Sequence, residues 1–452
     1  MTQKVRPALA AAIGMATLGL VSGCSSDQIR PAQETHEAKT ALQQEVPQET
    51  WPWRRTEYSP LLEGSPLAAL ANELSAAALI RSAVAQEQRA AMASRRAAEF
   101  ERFPKLVPAV NVPVANSSSA EASNDPSIGI TLEQTLYDFG QTRMRLERAD
   151  SDIEAKRIEV WSERNDAVLN GLLAAVDAAR LTQQLTMFHD LEKLLLKLEQ
   201  RLEARTSGGV AGKGETLLIT SALQKAQADT IRAQTDLRAA QSQLARLLPA
   251  NQPAPALSLS AARKMCRRDL PQTTAPRVAM ATVSLVQAET DSRLIRGKRF
   301  PRIVAQAGAS MTTAGSPATS IGIQLDTTNM LGLGQGKVIE SYDANVEARK
   351  RALAQANEDI ATELDQHRME FRGFLDSEQQ LQTLVASKAE TLALFDDQIA
   401  AGRLSLTDGI DLYREDADMR IQLLDIRANI VANCLQTAAI LGTLAEYEVG
   451  DE

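Results

Sequence analysis

The sequence repeats itself, and that repetition constrains the fold more than any other feature. Gly209-Val210-Ala211-Gly212-Lys213-Gly214-Glu215-Thr216-Leu217 recurs 193 positions later as Gly402-Arg403-Leu404-Ser405-Leu406-Thr407-Asp408-Gly409-Ile410, with Gly209 over Gly402, Glu215 over Asp408 and Leu217 over Ile410. Upstream of each break the same order appears. Phe103-Pro104-Lys105-Leu106-Val107 matches Phe300-Pro301-Arg302-Ile303-Val304, Ser127-Ile128-Gly129-Ile130 matches Ser320-Ile321-Gly322-Ile323, and Glu154-Ala155-Lys156-Arg157 matches Glu347-Ala348-Arg349-Lys350. The architecture is therefore two copies of one unit.

Within each unit the hydrophobic period changes. Ile128, Ile130, Leu132 and Leu136 alternate with Gly129, Thr131, Glu133 and Thr135, and Ile321, Ile323 and Leu325 alternate with Gly322, Gln324 and Asp326. An apolar residue at every second position predicts a strand with two unlike faces. Val110, Val112 and Val114 extend the pattern into the preceding segment, interrupted by Pro108 and Pro113. Each unit thus offers two strands of about the 9–11 residues that cross a bilayer. Four strands cannot close a barrel, and an open edge in lipid leaves backbone groups without partners. On the residues alone, two readings stand: soluble hairpins beside helices, or several chains sharing one barrel.

The period then becomes helical. From Gln141 to about Thr206, apolar residues recur in alternating steps of three and four through Leu146, Ile153, Trp161, Val168, Leu172, Leu195 and Leu202, and a matching run extends from Lys337 to about Ala401. At 1.5 Å per residue each helix is about 100 Å long. Glu215 to Leu248 and Asp408 to Leu444 read as shorter antiparallel partners, and Leu67 to Glu101 as a helix stopped by Phe103-Pro104.

At the N-terminus, Lys4 and Arg6 precede an apolar run from Ala8 to Val21 and the small residues Ser22-Gly23 before Cys24, the pattern of a secretory signal. The expected organisation is a signal peptide over 1–23, a tether over 24–65, a first repeat over 66–255, a linker over 256–275, a second repeat over 276–444 and a tail over 445–452. A net charge of −8 argues against nucleic acid. Later segments lack the run of about 18 apolar residues of a membrane helix. The glycine-lysine stretches at 209–213 and 332–337 miss the phosphate-loop pattern, because Val338 and Gly214 stand where Ser or Thr is needed. His36, His189 and His367 lack metal-ligand spacing and read as ordinary surface residues. The expectation is a non-enzyme without cofactor or metal.

The chain resembles the TolC-like outer-membrane efflux family, including its lipid-anchored members, from about Pro66 to Leu444. The resemblance rests on the residues before Cys24, the two Phe-Pro pairs, Leu136-Tyr137-Asp138-Phe139-Gly140, Gly334-Gln335-Gly336 and both breaks. It implies a mainly α protein with membrane β, in which three protomers each give four strands to one 12-stranded outer-membrane barrel continued by a periplasmic α-helical coiled-coil barrel. It also implies a passive exit channel of a tripartite efflux or type I secretion system, whose partners are a periplasmic adaptor and an inner-membrane pump of RND or ABC type. The competing class is a periplasmic coiled-coil structural lipoprotein without channel activity. Departures from the family pattern are a glycine-rich first tip and few aromatics at the membrane girdles.

The same resemblance assigns residues. Cys24 becomes the acylated, palmitate-bearing residue in contact with outer-membrane lipid. Gly209, Gly212, Glu215, Gly402, Arg403 and Leu404 fall at hairpin tips that dock the adaptor. Gly402, Asp408 and Asp411 fall on the family's glycine and paired aspartates, which in a homotrimer line the periplasmic aperture as acidic rings. The plainer reading is that acids near a helix N-terminus complement its dipole, typically by about 0.3–1 kcal/mol. Cys266 and Cys434 remain in an oxidising compartment, either as a disulfide tying down the linker or, for Cys434, as a small buried apolar group.

Overall fold

The computed structural model describes residues 66–111, 126–207, 213–248, 259, 275–312, 317–327, 334–400 and 406–447. Cys24, Gly209, Gly212, Cys266, Gly402, Arg403 and Leu404, with the signal and tether segments, lie outside them. The elements are α1 (Pro66–Arg81), α2 (Ala83–Glu99), a 3-10 turn (Phe100–Arg102), β1 (Lys105–Asn111), β2 (Ser127–Tyr137), α3 (Gln141–Ser207), α4 (Lys213–Leu247), α5 (Pro276–Gly297), β3 (Arg302–Thr312), β4 (Pro317–Asp326), α6 (Gln335–Ala400) and α7 (Leu406–Ile440).

The anticipated single helix from Leu67 to Glu101 is two helices bent by 59°. Ser82 causes the break: its extended backbone ends α1, and its hydroxyl accepts the Ala85 N–H at 3.2 Å as the cap of α2. No single described helix is long and apolar enough to cross a membrane. Asp138 starts α3 in a similar way, accepting the N–H groups of Gly140 at 3.1 Å and Thr142 at 2.6 Å.

The strands form one antiparallel sheet in the order β1-β2-β3-β4. The helices attached to its strands lie side by side in the same sequence, α2, α3, α5 and α6. Ion pairs stitch them: Arg95 to Asp150 at 2.6 Å joins α2 to α3, Arg145 to Glu101 at 2.6 Å joins α3 to the 3-10 turn, Arg148 to Asp291 at 3.1 Å joins α3 to α5, and Arg296 to Asp343 at 2.6 Å joins α5 to α6. Such half-exposed pairs contribute at most about 1 kcal/mol each. Burial does more. One core gathers Leu67, Leu70 and Leu74 of α1, Val168 and Leu172 of α3, Leu244 of α4, and Val431 and Leu435 of α7. Each fully buried side chain of this size contributes about 1.5–3 kcal/mol.

Helix α7 stops at Ile440, four residues short of the expected Leu444, because Gly442 takes φ +69° and reverses the chain. The Trp161 indole N–H then donates to the carbonyls of Gly442 at 3.1 Å and Ala445 at 2.9 Å. Asn165 donates to Ala439 O at 2.8 Å, and the Tyr447 hydroxyl donates to Glu154 at 2.7 Å. A side chain at Gly442 would sit 2.5 Å from Trp161, so position and conformation both demand glycine.

Candidate functional site

Antiparallel register sorts the sheet into two faces. Leu132 pairs with Leu106 and Ala307, Ile130 with Pro108 and Ala309, Ile128 with Val110 and Met311, and Ile321 and Ile323 lie opposite Ala307 and Ala305. All of these share one face, and it is bare: Leu106 is 66%, Ile128 62%, Ile321 91% and Ile323 74% exposed. The opposite face carries Ser127, Thr131, Glu133, Gln306, Ser310, Ser320 and Gln324, with Gln306 donating to Glu133 at 2.8 Å. A contiguous exposed apolar sheet face opposed by a hydrophilic one matches a wall between lipid and water.

Simple alternation placed Leu136 on the apolar stripe. A β-bulge between Thr135 and Tyr137 corrects this, since Tyr137 rather than Leu136 pairs with Ile303. The bulge also gathers aromatic rings at the helical end of the sheet. Tyr137 meets Phe139 edge-on with centroids 4.8 Å apart, Phe139 stacks on Phe300 at 4.7 Å, and Phe100 lies 6.1 Å from Phe103. Five exposed rings therefore stand at this end of the sheet. Their sequence signal was the pair of Phe-Pro steps, read only as helix stops.

At the far end of the long helices both hairpins join in one apolar cluster. Leu195 and Leu202 of α3, Ile219 of α4, Phe395 of α6, and Ile410, Tyr413 and Ala417 of α7 are buried there. Gly409 permits the contact, because an added Cβ would lie 2.8 Å from the Phe395 ring. Asp408 and Asp411 point outward from the same helix start; the Asp411 side chain is 87% exposed, with Arg414 Nη1 3.8 Å away. Ile410 faces the core between them, as its spacing predicts. Glu215 is half-buried at the start of α4.

The repeat correspondence fails at one place. Leu217, the counterpart of Ile410, is 71% exposed, and Leu218 beside it is 59% exposed. Correspondence in the repeat therefore does not carry burial with it at this position.

Cys434 is buried in the mid-helix core and is disulfide-bonded. Its partner lies outside the described residues, and the chain has two other cysteines, Cys24 and Cys266. His367 is not a bare surface residue: Asn433 Nδ2 lies 3.0 Å from its Nδ1. The Asp343 carboxyl is held below the usual carboxylate range by hydrogen bonds from Arg296 and Ser292. Among the described residues no group of three metal-ligating side chains assembles.

Solved structures with the same arrangement cover most of the chain. The outer-membrane channel OprN superposes with a TM-score of 0.69 at 15% identity, over 87% of this chain and 94% of that one. The outer membrane protein VceC of Vibrio cholerae gives 0.68 at 14% identity over 83% and 96%. The open-state MtrE outer membrane channel of Neisseria gonorrhoeae gives 0.66 at 15% identity over 83% and 89%. The fold is that of the TolC-like outer-membrane channels. No protein-family model and no curated protein matches the sequence. The TolC-like fold puts the four-stranded sheet and the long helices of this chain on a common plan with those channels.

Proposed function

We propose that this protein is the outer-membrane exit channel of a tripartite efflux or type I secretion system, conducting substrates passively from periplasm to exterior. Three protomers supply four strands each to a 12-stranded barrel, and their helices continue it through the periplasm toward an adaptor and an inner-membrane pump. The observation that carries the reading is the four-stranded sheet with one bare apolar face, one polar face and two unpaired edges, which suits a wall segment completed by other copies. A periplasmic scaffold gains nothing from that exposed apolar area. Purified protein should migrate as a heat-modifiable trimer and open conducting pores in a planar bilayer. Absence of both overturns the proposal.

Within this reading the outward-pointing Asp408 and Asp411 form acidic rings at the periplasmic aperture, and the exposed tip around Glu215, Leu217 and Leu218 meets the adaptor. Six like charges about one opening attract cations and invite block by multivalent ones. In single-channel records, Asp408→Ala combined with Asp411→Ala should reduce both cation preference and trivalent-cation block. Persistence of both places the aperture elsewhere.

The cysteines divide accordingly, with Cys24 acylated and Cys266 bonded to Cys434, a crosslink of a type that stabilises by about 2–4 kcal/mol. Maleimide applied to denatured, unreduced mature protein should label no position. Modification at Cys266 refutes the crosslink, and modification at Cys24 refutes the acylation.

A further inference from the structure

The four strands carry one charged side chain each, Lys105, Glu133, Arg302 and Asp326. The register puts all four on the polar face of the sheet. Lipid rules charge out of the apolar face, but water on the polar face would tolerate it in any row. Here the charges occupy only the rows next to the helices.

From the loop ends toward the helices, successive rows across the sheet hold Ala109, Gly129, Ser310 and Ala318, then Val107, Thr131, Gly308 and Ser320, then Lys105, Glu133, Gln306 and Gly322. In the first two rows no side chain is larger than valine. A Cβ at Gly308 would lie 2.9 Å from Ser320 Oγ and 3.6 Å from Thr131 Oγ1, which places both hydroxyls on this face beside the glycine.

Long side chains begin in the third row. Gln306 Nε2 donates to Glu133 Oε1 at 2.8 Å, which holds the carboxylate in place without cancelling its charge. Lys105, the partner of Glu133 across the β1–β2 pair, is exposed and makes no ion pair among the described residues. On the other side of Gln306 a Cβ at Gly322 would meet nothing within 4 Å, so the row stays open there. Nearer the helices Arg302 and Asp326 pair with each other and offset one another's charge. Lys105 and Glu133 are thus the two charges of the sheet with no opposite charge bonded to them.

In a closed barrel the polar face lines a water-filled interior. Three copies then bring three lysines and three glutamates to one level of the duct, alternating around it. We infer that this row is a second selective collar, in the barrel rather than at the tip, where Lys105 repels the cations that the entrance acids attract and Glu133 draws them on. The inference rests on the channel reading above and goes further in assigning residues of the barrel interior to ion selection.

Reversal potentials across a salt gradient test it, in planar-bilayer channels that carry Asp408→Ala and Asp411→Ala so that the tip does not mask the collar. Adding Lys105→Gln should raise the cation-to-anion permeability ratio by roughly twofold, Glu133→Gln should lower it by about the same factor, and the two together should return it to the starting value. Glutamine at 133 still accepts from Gln306, and unchanged heat-modifiable migration checks that the barrel is intact. A ratio that neither single change moves, or that both move in the same direction, overturns the collar. A cationic methanethiosulfonate should reduce conductance through Gln306→Cys and leave Ile321→Cys unaffected. The reverse pattern puts the row outside the duct and also overturns it. If the unaltered protein opens no pores, the channel reading itself falls and takes the collar with it.

Discussion

The two long helices come from one repeated sequence and occupy different surroundings. Helix α3 buries Leu146, Ile153, Ile158, Trp161, Val168, Leu172, Leu195 and Leu202 along its length, with neighbours in α1, α2, α4, α5 and α7. The buried apolar residues described on α6 are Ile339, Ile360, Leu392 and Phe395, and its neighbours are α5 and α7. Duplication supplied the element, while its place at the interior or the edge of the protomer decided which residues it buries. The tips repeat the lesson on a smaller scale, with Ile410 buried and its counterpart Leu217 exposed.

The largest effect comes from truncating the two counterparts. Ile410→Ala removes a side chain from the shared tip core and should cost about 2–5 kcal/mol in reversible denaturant unfolding. Leu217→Ala should fall within about 0.5 kcal/mol and reduce adaptor capture instead. Equal losses at both sites would mean that the repeats are buried alike after all.

Adding one methyl group sharpens the contrast. Gly409→Ala drives a Cβ into the Phe395 ring and should destabilise by about 1–3 kcal/mol. Gly214→Ala meets open space near the start of α4 and should stabilise by roughly 0.5–1 kcal/mol through helix propensity. Thermal midpoints moving in the same direction would contradict this assignment.

The smallest effect concerns the edge helix. Asp343 has a lowered pKa in the folded chain, so its contribution is present above the ordinary aspartate value near 3.9 and is lost as pH falls through its folded value. Acid below about pH 4 should therefore loosen α6 from α5, seen as faster amide exchange in α6, and Asp343→Asn should remove part of that acid dependence. Faster exchange in α3 at the same pH, without a change in α6, would point to a different acid-sensitive contact.

Much of this arrangement was legible in the residues. The limits of both long helices fall within about two residues of the positions where the three-four periodicity begins and ends, because core-facing side chains dominate such helices. The two strand faces were likewise readable from Ile128, Ile130 and Leu132. The bulge at Leu136 was not, since one extra residue leaves local composition unchanged while shifting every later side chain. The bend at Ser82 was also hidden: an Ala-rich sequence supports helix on both sides, and a single hydroxyl cap against Glu163 decides the break. At the candidate site, the outward aspartates and inward Ile410 followed from helical spacing. The aromatic foot required Phe139 and Phe300 to meet across 161 positions, which no local pattern encodes.

The contacts of Trp161 with the turn after α7 also bear on the order in which the protein is made. The indole waits 281 positions for the carbonyl of Gly442, and Glu154 waits 293 for the hydroxyl of Tyr447. Contacts so distant along the chain close late in folding. During synthesis the first repeat therefore emerges with the middle of its longest helix unfinished, and only the arrival of the second repeat completes it. Chain completion thus acts as a timer, keeping a protein with a bare apolar sheet from setting its final form before all of it has been made.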